Sequence, residues 1–574
     1  MIISKLNRLF AAVSILVALV ALACSPATQP VAPEGGTTAK PPEQQQSISM
    51  LEEPGLRGGK LSMAAAVTIF GNPNDPHLVA TVSGRNYAVP VTNGLVKRDL
   101  YDPKYGIIPD LAEKWEASKD GLTYTFKLRQ GIKFHNTAPL NGREFTSDDA
   151  KFTLMRITAD PSIVPEKSRA RFQRKADFGS IKSIETPDKY TLVVNMKEPY
   201  APFLDAVSHP GTLVIPKEFI DKFPDGLILE GMIGTGPYTP AEFINQQLMS
   251  FKRNPDYWNK DSKGNQLPYL DEVRFVAFSE EQSRLASFRA GQVDTSGAVS
   301  QGSSVEGIKK DIANVRVLYT AKASLNTFRF NTKAKPFEDA RVRQAMSLAI
   351  DRYQWVDLFS DGRGAVAGPV TPLYADLANT ADWLLSQPGY RKDKTQDIAE
   401  AKRLLKEAGY GEGFTTNVMY TSAAANAGDY AALFADQMKS INVTAKAEIV
   451  DYAGQWLPRS TNGEFEISQL GYTLTADADS LLSAHLHSAG GRNYGKFNDP
   501  KLDELIVKQR TTVNLEERKK WAQEAEKYIL DSVPMIFLWR STDINMAQPW
   551  VHNVSIVPGL ETYNSVERAW VDKR

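Results

Sequence analysis

The sequence predicts an α/β protein with more than one lobe, and two observations carry that expectation. Along the whole chain, stretches that alternate apolar and polar residues with the two-residue period of a strand are interleaved with stretches of helical period. The 574 residues, 42% hydrophobic and 23% charged, describe an ordinary globular protein with material for roughly two to four domain-sized cores. Lys+Arg and Asp+Glu both number 67, so no long-range field favours nucleic acid, and no dense basic run occurs.

The chain opens on a targeting segment. Lys5 and Arg8 form a positive region, residues 9–22 are almost continuously apolar, and small residues lead to Cys24. The run is shorter than the ~20 residues of a membrane-spanning helix. Cys24 is the only cysteine, so it cannot form an intramolecular disulfide. A lone cysteine after Ala21-Leu22-Ala23 resembles the lipobox of bacterial lipoproteins, although the usual leucine three residues before the cysteine is Ala21 here. The expectation is a signal peptide over 1–23, lipidation of Cys24, and a disordered tether over 24–57, rich in Pro, Thr, Gln, Glu and Gly. Some thirty flexible residues reach ~30 Å. Removing 1–23 takes away Lys5, Arg8 and no acid, so the mature chain stays close to neutral.

Residues 61–70 read as the first strand of the folded body, ended by the turn Pro73-Asn74-Asp75-Pro76. Leu122, Tyr124, Phe126 and Leu128 alternate with polar residues, Gly131 permits a turn, and Ile132 and Phe134 alternate in a second short strand, which together predict a hairpin. Thr146 is placed as a helix N-cap with Asp149 three residues on, and Asp148 and Asp149 suit the positive end of the helix dipole. A strand over 190–196, a Pro-rich stretch over 199–216 and a helix over 216–223 lead to Gly234-Thr235-Gly236-Pro237-Tyr238, a tight backbone crossing, and to strands over 238–253. Phe288-Arg289-Ala290-Gly291 ends a helix on glycine.

Residues 315–330 alternate as strands, and after Pro336 comes the best helix of the chain. Val342, Ala345, Met346, Ala349 and Ile350 form one apolar stripe at helical spacing and belong to the core. A helix over 395–408 stops at Gly409, another over 515–530 has Asn514 and Glu517 as a capping pair, and 533–539 is a buried strand.

Several of these segments carry a resemblance. P-x-L-A-x-x-W at 109–115 is followed by DGLTYTFKLRQGIKFH at 120–135, GTGPY at 234–238, RNPDYW at 253–258 and FRAGQVD at 288–294. PFEDARVRQAMSLAIDR at 336–352, AKRLLKEAGY at 401–410 and FNDPKLDELI at 497–506 complete the series. In this order they resemble family 5 solute-binding proteins, the peptide- and nickel-type receptors of ABC importers, from about Gly58 to the C-terminus. The resemblance implies a periplasmic-binding-protein-like, type II clam-shell of two lobes with the extra domain of peptide-type receptors. The first lobe is expected from 58–89, 233–315 and 540–574, with the extra domain over 90–232, and the second lobe over 316–539. Two crossings, near 315–325 and 533–542, form the hinge.

The rival class is a secreted hydrolase. No G-x-S-x-G elbow and no H-E-x-x-H pair occurs, and one cysteine excludes a redox CxxC. His485 and His487 form an H-x-H pair without acidic or cysteine partners at metal-ligand spacing, so no metal is expected. GGRNYGK at 490–496 satisfies the letters of a P-loop, but Phe497 stands where the magnesium-binding Ser or Thr would be.

In peptide receptors of the family, Gly-Trp or Gly-Tyr is followed by an aspartate that pairs with the peptide's α-amino group, and then by a second acidic cluster. Here Gly471-Tyr472 is present, and Asp477 and Asp479 resemble the second cluster, while the first aspartate falls on Leu474 or Thr475. Asp477 or Asp479 either takes over the α-amino group or caps the helix starting near Ser480. Trp456 offers an indole face to a sugar or apolar side chain, or packs in the core. Arg363, in a loop that faces the ligand in the family, suits a ligand carboxylate or stands in solvent. The expectation is a monomeric, non-enzymatic, lipid-anchored extracytoplasmic receptor, without cofactor. It closes on a short peptide, or on an oligosaccharide or other organic solute, and delivers it to membrane permease subunits. Tyr472, Thr475, Asp477, Asp479, Trp456 and Arg363 are its candidate ligand residues.

Overall fold

The computed structural model describes residues 51–66, 75–78, 88–102, 106–169, 171–172, 174–222, 232–299, 302–321, 324–370, 377–424, 426–473, 477–555 and 566–572. Residues 1–23 and Cys24 lie outside the described residues, as do Leu474 and Thr475.

The first half of the chain and its last residues build one lobe. Lys60–Ala66 runs parallel to Glu272–Phe278, which pairs antiparallel with Leu248–Arg253 and, beyond it, Tyr238–Ile244. A second four-stranded sheet, in the order Ala112–Ala117, Thr123–Leu128, Thr191–Met196, Ile181–Asp188, packs its buried face on the same apolar core. Tyr124, Phe126 and Leu128 point inward as their alternation requires. The hairpin expected between this strand and 132–135 does not form: Lys133 makes only an isolated bridge to Glu144. Both edges of Thr123–Leu128 are already taken by Ala112–Ala117 and Thr191–Met196. Behind the turn, Ser147–Ile157 is a helix whose Asp149 carboxylate accepts from the Thr146 N–H at 2.9 Å.

The GTGPY crossing is as tight as the sequence suggests. Gly236 N–H donates to the Val91 carbonyl at 2.9 Å, and the His135 N–H donates to the Gly234 carbonyl at 2.8 Å. A Cβ on Gly236 would lie 2.4 Å from the Val91 carbonyl carbon, where only backbone could yield.

The second lobe is a five-stranded sheet in the order Val443–Val450, Phe414–Thr421, Ile467–Thr473, Ser324–Phe330, Met535–Phe537. Helices cover both faces. On one, Ala340–Ala349 buries Val342, Ala345, Met346 and Ala349 against Phe328, Tyr420 and Phe434. On the other, Pro500–Thr511 and Leu515–Ser532 pack over Leu325, Tyr472 and Phe537. Asn514 accepts from the Glu517 N–H at 3.0 Å, and Thr395–Glu407 ends with Gly409 at φ +87°.

The lobes are joined by Arg316–Ala321 paired antiparallel with Thr542–Ala547. Val317 and Tyr319 pack with Leu285, Phe288 and Ile308 of the first lobe, so that strand precedes the crossing rather than opening the second lobe. The body also begins earlier than its composition suggests. Glu52 N–H donates to Asn553 Oδ1 at 2.9 Å, the Ser262 N–H donates to Glu53 at 2.9 Å, Arg568 pairs with Glu53, and Gly55 lies against Trp570 and Tyr269. Long-range partners hold residues that look like linker when read locally.

Candidate ligand-binding site

Three of the candidate residues, Tyr472, Asp477 and Asp479, gather where the central strand Ile467–Thr473 gives way to a short helix, Asp479–Leu481, continued by Leu482–Leu486. Tyr472 is buried at the end of that strand, opposite Leu325 in register. Asp477 Oδ1 accepts from the Asp479 N–H at 2.8 Å, the hydrogen bond of a helix-starting acid, and pairs with Arg518 Nη2 at 2.6 Å. Asp477 Oδ2 is buried and has no hydrogen-bond partner among the described residues. Asp479 accepts from Ser483 Oγ and Gln509 Nε2, both at 2.6 Å, with Arg510 Nε at 3.8 Å. Burial pushes the Asp479 carboxyl above the usual range against the opposing pull of Arg510.

This acidic pair sits at a junction between the lobes. The Ala201 N–H donates to the Arg510 carbonyl at 2.8 Å, the Arg510 guanidinium lies 5.1 Å from the centre of the Tyr200 ring, and Gly121 abuts Val513. Glycine at 121 is required both by its φ of +68° and by a Cβ that would fall 2.4 Å from Val513.

Trp456 and Arg363 lie elsewhere. Trp456 is fully buried with Met419, Val450 and Phe465, stacked on Tyr452 and edge-on to Tyr494, and its indole N–H has no partner. Arg363 is half-buried; its Nη1 is 3.1 Å from Asp361 Oδ2 and its guanidinium rests on Gly302, which places it at a second contact between the lobes. His485 and His487 occupy separate surroundings: His485 is buried beside Arg329, and His487 lies 3.8 Å from Asp503. No group of three metal-ligating side chains occurs among the described residues. Residues 490–496 form a loop in which Gly495 abuts the Phe330 carbonyl and Lys496 reaches the Thr461 carbonyl, leaving no phosphate cradle.

Sequence reasoning missed Arg329. It is 2% exposed on strand Ser324–Phe330, between the rings of Tyr472 and Tyr494 at 5.2 and 5.0 Å. Its Nη2 bonds the Tyr472 hydroxyl and stands 3.4 Å from His485 Nδ1. Burial lowers its pKa to about 10 and, with Arg329 as the next cause, holds His485 well below the usual imidazole value. The signal was available: Arg329 stands between Phe328 and Phe330 in a strand covered on both faces, and a charge there needs a reason.

Two α/β lobes joined by crossing strands, with a polar cluster where they meet, define a two-lobed extracellular solute-binding receptor of type II. More particularly, the family described as bacterial extracellular solute-binding proteins, family 5 (middle), matches residues 106–493, and this chain belongs to it. The chain is 27% identical over 475 residues to di/tripeptide-binding protein 1 of Pseudomonas aeruginosa, covering 80% of this chain and 86% of that one. It is 27% identical over 471 residues to heme-binding protein A of Haemophilus influenzae, at 79% and 80% coverage. Among solved structures, HbpA2 from Haemophilus parasuis superposes with a TM-score of 0.74 at 25% identity, over 90% of this chain and all of that one. DppA from Helicobacter pylori, in complex with the peptide STSA, superposes with a TM-score of 0.70 at 24% identity, over 90% and 99%.

Proposed function

We propose that this protein is the solute-capturing subunit of an ABC importer, which binds a short peptide between its lobes and delivers it to membrane permease subunits. The observation that carries the reading is the family match across both lobes, in company with relatives that are named for di- and tripeptides. The lobe division expected from the sequence serves this reading, with the crossing moved past Ala321. Tyr472, Asp477 and Asp479 form the ligand wall on the second lobe, and Thr475, outside the described residues, is assigned to it from the sequence alone. Asp477, one of whose oxygens has no partner among the described residues, is the carboxylate closest in sequence to the missing family aspartate. Trp456 supports this wall from within, through Tyr494, and Arg363 borders the second lobe contact.

A second reading has its own support. Leu474 and Thr475 supply no carboxylate where peptide receptors of the family carry one, and the similar proteins include one named for heme and a structure in complex with agropinic acid. A non-peptide organic solute, an oligosaccharide included, fits that departure.

The protein acts as a receptor without turnover, as a monomer, on the outer face of the membrane. A signal peptide over 1–23, lipid on Cys24 and a tether that ends before Leu51 supply the anchor; no described helix is long and apolar enough to cross a membrane. Calorimetric titration with a mixed set of di- and tripeptides tests the reading. Micromolar or tighter binding with no cleavage of the peptide is expected, and hydrolysis of the peptide overturns it.

A further inference from the structure

The face of the second-lobe sheet that carries Tyr472 holds a row of hydrogen-bond donors without a partner among the described residues. Arg329 is opposite Ser468 in the antiparallel register, and Ser468 is opposite Met419 in the neighbouring parallel pair. These three side chains therefore share one face. Arg329 Nε and Nη1 are buried without partners, and so is Ser468 Oγ, in a residue 1% exposed. Met419 packs on Trp456, whose indole N–H is the third orphan. Tyr494 connects them, edge-on to Trp456 at 6.5 Å and 5.0 Å from the Arg329 guanidinium.

The imbalance is one of sign. No Asp or Glu pairs with Arg329 among the described residues; its polar neighbours are a tyrosine hydroxyl and a histidine held neutral. Arg492, exposed beside half-buried Tyr494, adds a second cation on the solvent side. A buried guanidinium without a counter-charge is costly, as is each buried donor left unbonded. Arginine and indole N–H groups only donate; a water oxygen can accept from them, but only an anion also offsets the guanidinium charge.

We propose that Arg329, Ser468 and Trp456 form an oxyanion subsite in the second lobe, entered past Tyr494 and Arg492, which receives a carboxylate or phosphate group. The group comes either from the imported solute or from a free inorganic anion. The solute-borne source rests on the receptor reading above; the subsite itself does not.

The test uses inorganic phosphate and the dipeptides Ala-Glu and Ala-Gln as probes, on the mature wild-type protein, R329M and S468A. If phosphate raises the Tm of wild type and Ala-Glu binds no tighter than Ala-Gln, the subsite holds a free anion. If Ala-Glu binds about tenfold tighter than Ala-Gln, the anion is solute-borne; each tenfold step corresponds to ~1.4 kcal/mol. In either case R329M abolishes the anion effect while melting no lower than wild type without anion, because an uncompensated charge has been removed. S468A, which deletes one donor and little volume, weakens the effect several-fold and guards against a misfolded R329M. Indifference of wild type to phosphate, together with R329M binding both dipeptides, each of which carries a C-terminal carboxylate, as tightly as wild type does, overturns the subsite and leaves the receptor reading standing. A phosphate effect with no binding of either dipeptide does the reverse.

Discussion

The Ala201 N–H and the Arg510 carbonyl are joined by a 2.8 Å hydrogen bond that runs from the first lobe to the second. Arg510 also covers the Tyr200 ring, and Val513 fills the space left by Gly121. On the receptor reading proposed above, these contacts weight the open–closed equilibrium toward the closed form. Tyr200→Ala removes the ring. A partly desolvated cation–π contact contributes about 1 kcal/mol, so apparent solute affinity falls roughly fivefold. Small-angle scattering of the unliganded variant shows a larger radius of gyration than wild type. An unchanged radius and affinity together would mean that the contact does not govern closure.

Asp477 and Arg518 are both buried, and removing one partner strands the other. Burial works against the Arg518 charge, and Asp477 more than offsets it, which keeps the guanidinium pKa above its ordinary value. Arg518→Met is expected to destabilise by about 3–5 kcal/mol. The double variant R518M/D477N loses clearly less than the sum of the two single variants, because no unpaired charge remains. Chemical denaturation of the four proteins measures this coupling.

Glu526 is 1% exposed on Leu515–Ser532, where it accepts from the Asn379 N–H at 2.9 Å and Asn379 Nδ2 at 3.0 Å, with no cation paired with it among the described residues. Burial raises its pKa to about 7, and the Asn379 hydrogen bonds oppose that rise. The folded state therefore binds this proton more tightly than the unfolded state. The stability it contributes is fully present below about pH 4.5 and is lost as pH climbs to 7, up to ~3 kcal/mol. Glu526→Gln flattens that part of the stability–pH curve. A wild-type curve that rises over the same window, and does so equally in the variant, contradicts the assignment.

Much of the architecture was readable because it is local. Asn514 and Glu517, Gly409, and the stripe from Val342 to Ala349 announce their helices within a few residues, and the alternation at Tyr124, Phe126 and Leu128 predicts which side faces the core. What failed was pairing at a distance. Ile132 and Phe134 looked like the partner of Thr123–Leu128, but strand partners are chosen by the whole sheet, and Thr191–Met196 is remote in sequence. For the same reason residues 51–57 read as linker while Asn553, Arg568 and Trp570 hold them. The site was half legible. Tyr472, Asp477 and Asp479 stand in one motif and Trp456 was a candidate on its own, whereas Arg329 and Ser468 come together only through sheet register.

The anchor has a direct chemical test. If Cys24 carries the lipid, Cys24→Ser moves the protein from the membrane fraction to the soluble fraction, and intact-mass analysis of wild type shows an acylated cysteine at the N-terminus. Wild type found soluble and unmodified contradicts the anchor without touching the fold.

The most direct test of the receptor reading is native mass spectrometry of the mature protein as purified, followed by mild denaturation and identification of what is released. A ladder of short peptides, stoichiometric with protein and chemically intact, is the predicted result. A protein that instead converts added peptides into cleaved products would contradict the account.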